Sequence, residues 1–204
     1  MNNKDLKNND MTLGVLSAIE ADSRVTQRSL SNELGIALGL TNSYFKKCIN
    51  KGLVKIKQVP ANRYAYYLTP RGFSEKSRLT AEYLKASFDF YGRAKNDLKQ
   101  IMAVCIEKKM FNIVLSDQSE LAEIAIIISF STNINLVGII GKNSNKNING
   151  IPIKANIKLF KKFDKVIITN VYDAQSRYDE LSKTVSINKI IVPDLLKIKN
   201  REGR

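Results

Sequence analysis

The sequence predicts an α/β chain made of two unlike halves. Three observations carry this: short amphipathic helices followed by a β-prone hairpin before residue 70, a long helical stretch after it, and from Asn112 onward strand-like apolar runs alternating with helical ones. With 204 residues, 44% of them apolar, the chain can build two ordinary cores. Gly92 weakens the helical pattern after the hairpin, so the boundary is expected there, giving domains 1–92 and 93–204.

Residues 1–9 read as a tail, and a first helix is expected from Asp10 to Ala21 with Leu13, Val15, Leu16 and Ile19 inward. Asp22 and Ser23 turn the chain and Thr26 is a natural N-cap for the second helix. There, Leu30 and Leu34 share one face, while Gln27, Arg28, Ser31 and Asn32 share the other. Gly35 ends this helix, and Ile36 can plug the corner before the next. The third helix begins near Ala37, with Leu38, Thr41, Phe45, Cys48 and Ile49 expected inward, and closes at Gly52. Its outward set, Gly39, Leu40, Asn42, Ser43, Lys46 and Lys47, offers hydrogen-bonding groups and positive charge but no carboxylate. A helix with that face, held by a partner across a tight turn, is what a DNA major groove accepts. Gln27 and Arg28 join the outward set as candidate contacts.

Leu53 to Leu68 shows two β-prone runs around Pro60-Ala61-Asn62-Arg63, a hairpin with a basic tip. Lys55 and Lys57 alternate with Val54 and Ile56 and are expected on its solvent face, while Arg63 can reach a phosphate or the minor groove. Helix, helix, hairpin is the winged-helix order.

The net charge is +14 and unevenly spread. Between Arg24 and Lys85 there are 12 Lys or Arg against Glu33, Glu75 and Glu82, whereas residues 111–204 hold 14 basic and 9 acidic side chains. The excess is densest in the winged-helix half, as phosphate binding requires. Cys48 and Cys105 are the only cysteines and histidine is absent, so a disulfide framework, a zinc site and His-based catalysis have no support. No apolar run approaches the roughly 20 residues that span a bilayer, and the polar N-terminus lacks a signal-peptide core. A cytoplasmic protein with no membrane partner and no cofactor is expected.

Thr69-Pro70 opens a long helix in which Leu79, Tyr83, Ala86 and Phe90 repeat on one face. That stripe serves either as the seam of a homodimer or as a cover for the C-terminal domain. A further helix with Leu98, Ile101, Met102, Cys105 and Ile106 inward leads to Phe111. Beyond it, Asn112–Leu115, Ile134–Ile140, Asp164–Thr169 and Lys189–Val192 read as strands, and Ser119–Phe130 and Ala174–Lys183 as helices. Such alternation implies a parallel sheet with crossover helices. Asn143–Asn149 reads as a solvent loop. The first βα turn, Ser116-Asp117-Gln118-Ser119-Glu120, has no glycine, and its acids cap the helix but repel phosphate. Candidate ligand contacts at the strand ends are Ser116, Gln118, Ser119 and Lys142. Asp117, Glu120 and Glu123, and likewise Asp173, Asp179 and Glu180, join no nucleophile or metal motif, so no metal site and no enzyme is expected.

The span from about Val15 to Tyr83 resembles the MarR-type winged-helix regulators, in particular the group associated with exopolysaccharide gene clusters. TQRSLSNELGIALG, KGLVKI and YYLTPRGFSEKSRLTAEYL carry the likeness. Leu40 departs from it, standing where such regulators more often have a polar or basic side chain, so its contact would be apolar, as with a thymine methyl. The C-terminal half resembles the degenerate form of Rossmann-like domains found in sugar-modifying enzymes of polysaccharide synthesis. The matching residues are Val137-Gly138, Gly150-Ile151-Pro152-Ile153 and Asp164–Ile168, with Gly141-Lys142 in place of the acidic ribose-binding residue. Together the resemblances imply a transcription regulator of polysaccharide-biosynthesis genes that binds double-stranded DNA. Its C-terminal domain would sense an effector such as a nucleotide-sugar, or mediate assembly. The rival reading is a sugar-nucleotide-binding or modifying enzyme whose winged helix makes protein contacts.

Overall fold

The computed structural model describes residues 3–60, 63–142 and 147–199, with backbone alone at 3–7 and 63. The chain divides into two compact units, Met1–Phe88 and Asp89–Arg204. The first holds α1 (Asn3–Ala21), α2 (Gln27–Leu34), α3 (Leu38–Asn50), the hairpin β1 (Val54–Val59) and β2 (Arg63–Leu68), and the start of α4 (Pro70–Glu107).

α1 begins well before the apolar pattern does, because tertiary bonds hold its polar first turns. The Tyr44 hydroxyl donates to Asn8 Oδ1 (2.6 Å) and Asn9 Nδ2 to Glu82 Oε2 (3.1 Å). α2 starts as the sequence implies: Thr26 Oγ1 accepts from the Ser29 amide (3.0 Å) while Ser29 Oγ accepts from the Thr26 amide (3.0 Å), satisfying two otherwise orphaned donors. Gly35 takes φ +61°, a left-handed value that glycine adopts without steric cost, and so reverses the chain into α3. Val15, Leu16, Ile19, Leu30, Phe45, Cys48, Leu53, Val54 and Leu79 form the buried core, with Phe45 edge-on to Tyr66 at 4.6 Å. The Tyr66 amide donates to Ser23 O (2.8 Å), so the α1–α2 turn extends the edge of the hairpin.

Three expectations change here. Leu38 is 43% exposed rather than inward, since Thr41 takes the buried position one turn on and returns its hydroxyl to Ala37 O (3.2 Å). α4 runs without a break through Gly92. A mid-helix glycine costs about 1 kcal/mol, which a 38-residue helix anchored by Leu79 at one end and by Ala94, Leu98, Met102 and Cys105 at the other absorbs. The stripe of Leu79, Tyr83, Ala86 and Phe90 is not one surface: Leu79 belongs to the first core, Phe90 packs on the second, and Tyr83 and Ala86 are exposed.

The second unit is a six-stranded sheet: β3 (Asn112–Leu115), β4 (Asn135–Ile140), β5 (Asn147–Ile148), β6 (Ile151–Lys154), β7 (Lys165–Ile167) and β8 (Ile190–Ile191), in the order β5-β6-β4-β3-β7-β8. All neighbours are parallel except β5 with β6. α5 (Glu120–Ser129) joins β3 to β4 and α6 (Ala174–Leu181) joins β7 to β8. The β4–β6 connection carries the short strand β5, turned back by Asn149 (φ +52°) and Gly150 (φ +83°); neither β5 nor β6 is among the strands expected from the sequence. Within the segment read as a solvent loop, residues 143–146 lie outside the described residues and Asn147–Ile148 is strand. Side chains alternate across the sheet. Ile113 and Leu115 pack with Leu98, Met102 and Cys105 of α4 and with α5, while Val114, Val166 and Ile168 pack with Tyr178 and Leu181 of α6. Winding runs outward from β3 in one direction through β4 and β6, then in the other through β7 and β8. The switch lies between β3 and β7, where an open parallel sheet leaves a crevice at its strand ends.

Candidate nucleic-acid interface

α3 buries Thr41, Phe45 and Cys48, which leaves its opposite face to solvent. Gly39, Ser43, Lys46 and Lys47 are exposed there, and Leu40 is 45% exposed. Lys47 Nζ lies 5.9 Å from the Tyr44 ring centroid, within cation–π range. Asn42 differs from its neighbours. It is half-buried, and its Oδ1 is buried with no hydrogen-bond partner among the described residues. On α2, Arg28 is exposed and Gln27 half-buried. In the wing, Val54 is buried while Lys55 and Lys57 are exposed, and so is Ile56 at 42%. Arg63 pairs through its backbone with Val59, but its side chain, like Ala61 and Asn62, lies outside the described residues.

The charges are sorted. Among the described residues, Arg28, Lys46, Lys47, Lys55 and Lys57 make no ion pair, while Glu20, Glu75 and Glu82 are engaged by cations of α4 and Asp10, Asp22 and Glu33 stay exposed without an ion pair. Glu20 pairs with Lys76, and Arg78 holds Glu75 (2.8 Å) and Glu82 (2.5 Å). The bond from Arg78 is the main reason that Glu75 sits below its ordinary pKa. Cys48 offers no nucleophile at neutral pH, because burial pushes its thiol up to about 11. Small-molecule sites commonly enclose about 300–1,000 Å³, and a cavity of about 740 Å³ lies between the α1–α2 turn and β2, lined by Arg24, Gln27, Pro60, Tyr64 and Tyr67. No sequence pattern announced it, since its walls come from segments 40 residues apart.

Residues 8–55 match the family described as winged helix-turn-helix DNA-binding. The N-terminal unit is a winged helix. No curated protein matches the chain. Two solved structures overlap it loosely. The PcaV transcriptional regulator from Streptomyces coelicolor is 19% identical over 48% of this chain and 74% of its own, with a TM-score of 0.39. MepR of S. aureus, in complex with DNA, is 17% identical over 53% and 76%, with a TM-score of 0.37. Overlaps this loose fix neither family nor partner.

In the second unit, the crevice at the switch point has a volume of about 360 Å³ and is lined by Asp117, Gln118, Ser119, Glu120, Glu123 and Asn170, with Tyr172 at its lip. Gln118 and Ser119 therefore stand where the sequence placed them. Ser116 does not line it: the residue is fully buried, and its hydroxyl accepts from the Thr169 amide (2.9 Å) and donates to Asp117 Oδ2 (3.0 Å). Lys142 is exposed and absent from the lining. Arg177 of α6, which nothing in the local sequence singled out, bonds Asp117 Oδ2 through Nε (2.9 Å) and Glu180 through Nη1 (2.6 Å). Burial nevertheless raises the Asp117 pKa, more than Arg177 and Ser116 lower it. Among the described residues no group of His, Cys, Asp and Glu could hold a metal ion, and no helix is long and apolar enough to cross a membrane.

Proposed function

We propose that this protein is a DNA-binding transcription regulator that docks α3 in the major groove and lays the lysines of β1 along the flanking phosphates. The supporting observation is the balance of charge: among the described residues five cations without an ion pair lie on α2, α3 and β1 against one exposed carboxylate, Glu33, while Glu20, Glu75 and Glu82 are held by Lys76 and Arg78. Counterion release by about five phosphate contacts implies a slope near −4.5 in log K against log salt for one module. Binding to random-sequence duplex DNA across a salt series tests this, and a flat series overturns it. Lys46→Ala should weaken all sequences alike and take about one unit off that slope. A homodimer fits the same reading, because one winged helix alone binds weakly and Tyr83, Leu84 and Phe88 present a bare apolar stretch of α4. The C-terminal unit is read as a Rossmann-like domain serving effector sensing or assembly, and polysaccharide genes as targets follow from the resemblance in sequence alone. Its acid-lined crevice favours a neutral ligand over a nucleotide-sugar.

A further inference from the structure

We infer that α3 selects duplexes by their thymine methyl groups, with Leu38 and Leu40 as the specificity-determining residues on either side of Gly39. This rests on the DNA-binding reading of the N-terminal unit and names the chemistry that the reading helix recognises.

The N-terminal turn of such a helix is the part that reaches base edges. Here that turn is Ala37-Leu38-Gly39-Leu40, and it contains no polar side chain. Ala37, at the N-cap, makes no side-chain bond to the helix. Leu38 and Leu40 are 43% and 45% exposed, two large apolar side chains held in water by a helix whose core is already filled by Thr41, Phe45 and Cys48. Gly39 stands between them without a packing reason: a Cβ there would meet nothing within 4 Å, and its φ is not left-handed. A helical glycine that packing does not require costs stability, and what it provides here is an open notch through which the backbone can approach a surface. The first polar side chains come later and are inward in part, with the Thr41 hydroxyl bonded to Ala37 O and Asn42 Oδ1 buried. Lys46 and Lys47 follow two turns on, at phosphate reach.

In the major groove all four bases present donors or acceptors, O4 of thymine among them, so an apolar turn gains only where a base also offers apolar surface. Thymine alone among the four bases presents a methyl group, and 5-methylcytosine presents the same group at the same carbon. The cations around this turn bring the polyanion to it, and the leucines then discriminate among base pairs.

The test uses the full chain and four alternating duplexes at one salt concentration: d(A-T), d(A-U), d(G-C) and d(G-5-methylC). Burying one methyl corresponds to about 0.8 kcal/mol, or about four-fold in affinity. With two leucines engaged, d(A-T) should bind about fifteen-fold tighter than d(A-U), and methylation of d(G-C) should raise its affinity. Leu38→Ala and Leu40→Ala, both at exposed positions, should each remove part of that preference while leaving the salt slope intact. Equal binding of d(A-T) and d(A-U) with a steep salt slope overturns the inference and leaves DNA binding standing. A methyl preference that survives in the double variant also overturns it, because the methyl would then act through duplex shape. If none of the four duplexes binds, the DNA-binding reading itself fails.

Discussion

Replacing Asn42 with alanine should separate folding from recognition. The Oδ1 of Asn42 is buried and accepts no hydrogen bond among the described residues. A buried acceptor without a partner costs about 1–3 kcal/mol, and asparagine is a poorer helix former than alanine by about 0.5 kcal/mol. Against these stands the lost packing of a half-buried side chain, about 1 kcal/mol. The balance is a gain of about 1 kcal/mol for the N-terminal unit, or a rise of about 4–8 °C in the midpoint of its thermal transition. With Oδ1 turned inward only the Nδ2 donor of Asn42 is left for a base edge, so discrimination at one base pair should relax by no more than about 1 kcal/mol. Circular dichroism melts and competition binding on the same preparations read both effects. A loss of 1 kcal/mol or more in stability would refute the reasoning, since it would mean that the amide is satisfied in the free protein. Unchanged base preference would remove Asn42 from the interface.

Two further predictions concern the frame and the crevice. A Cβ at Gly72 would lie 2.0 Å from the carbonyl oxygen of Leu53, where the first turn of α4 is already locked by the Thr69 amide (3.0 Å), so Gly72→Ala should cost the N-terminal unit several kcal/mol in urea unfolding; tolerance at the wild-type level would show that this approach is loose. In the second unit, burial raises the folded pKa of Asp117, so its contribution to stability is fully present below the unfolded value near 3.9 and is lost as pH rises through the elevated folded value. Asp117→Asn should flatten that part of the stability profile, and a superimposable profile would show that the carboxyl is not the titrating group.

What the sequence made legible was whatever is local in the chain. Thr26, Gly35 and the strand at β3 are readable because caps, left-handed turns and short β-prone runs are decided within a few residues. Leu38 was misplaced because helical phase alone puts it at the margin of the buried stripe, and only the position of the partner helices decides that Thr41 is covered and Leu38 is not. Gly92 misled for a related reason: propensity is a weak term, and packing at both ends of α4 outweighs it. Arg177 and Thr169 were invisible because they reach Ser116 and Asp117 across more than 50 residues of sequence. That Lys46, Lys47, Lys55 and Lys57 make no ion pair among the described residues was equally hidden, since it depends on Lys76 and Arg78 holding Glu20, Glu75 and Glu82.

In the turn after β3, which holds no glycine, hydrogen bonds tie the chain to the end of β7. In a phosphate-binding βα turn, the backbone amides at the helix N-terminus stay free to meet the anion. Here three amides of the turn and the helix start are already committed. The Asp117 amide donates to Thr169 Oγ1 (2.9 Å), the Ala122 amide to Ser119 Oγ (3.2 Å) and the Glu123 amide to Ser119 O (3.0 Å). Thr169 Oγ1 in turn donates to Asp117 O (2.8 Å), and Ser119 Oγ to Thr169 O (2.6 Å), so the ends of β3 and β7 are latched to each other. A phosphate seeking those three amides would have to break their bonds and then face Asp117, Glu120 and Glu123. Each broken bond leaves a buried group unpaired at about 1–3 kcal/mol, before any repulsion from the carboxylates is counted. The turn after β3 is thus closed by its own side chains, which disfavours a phosphate there.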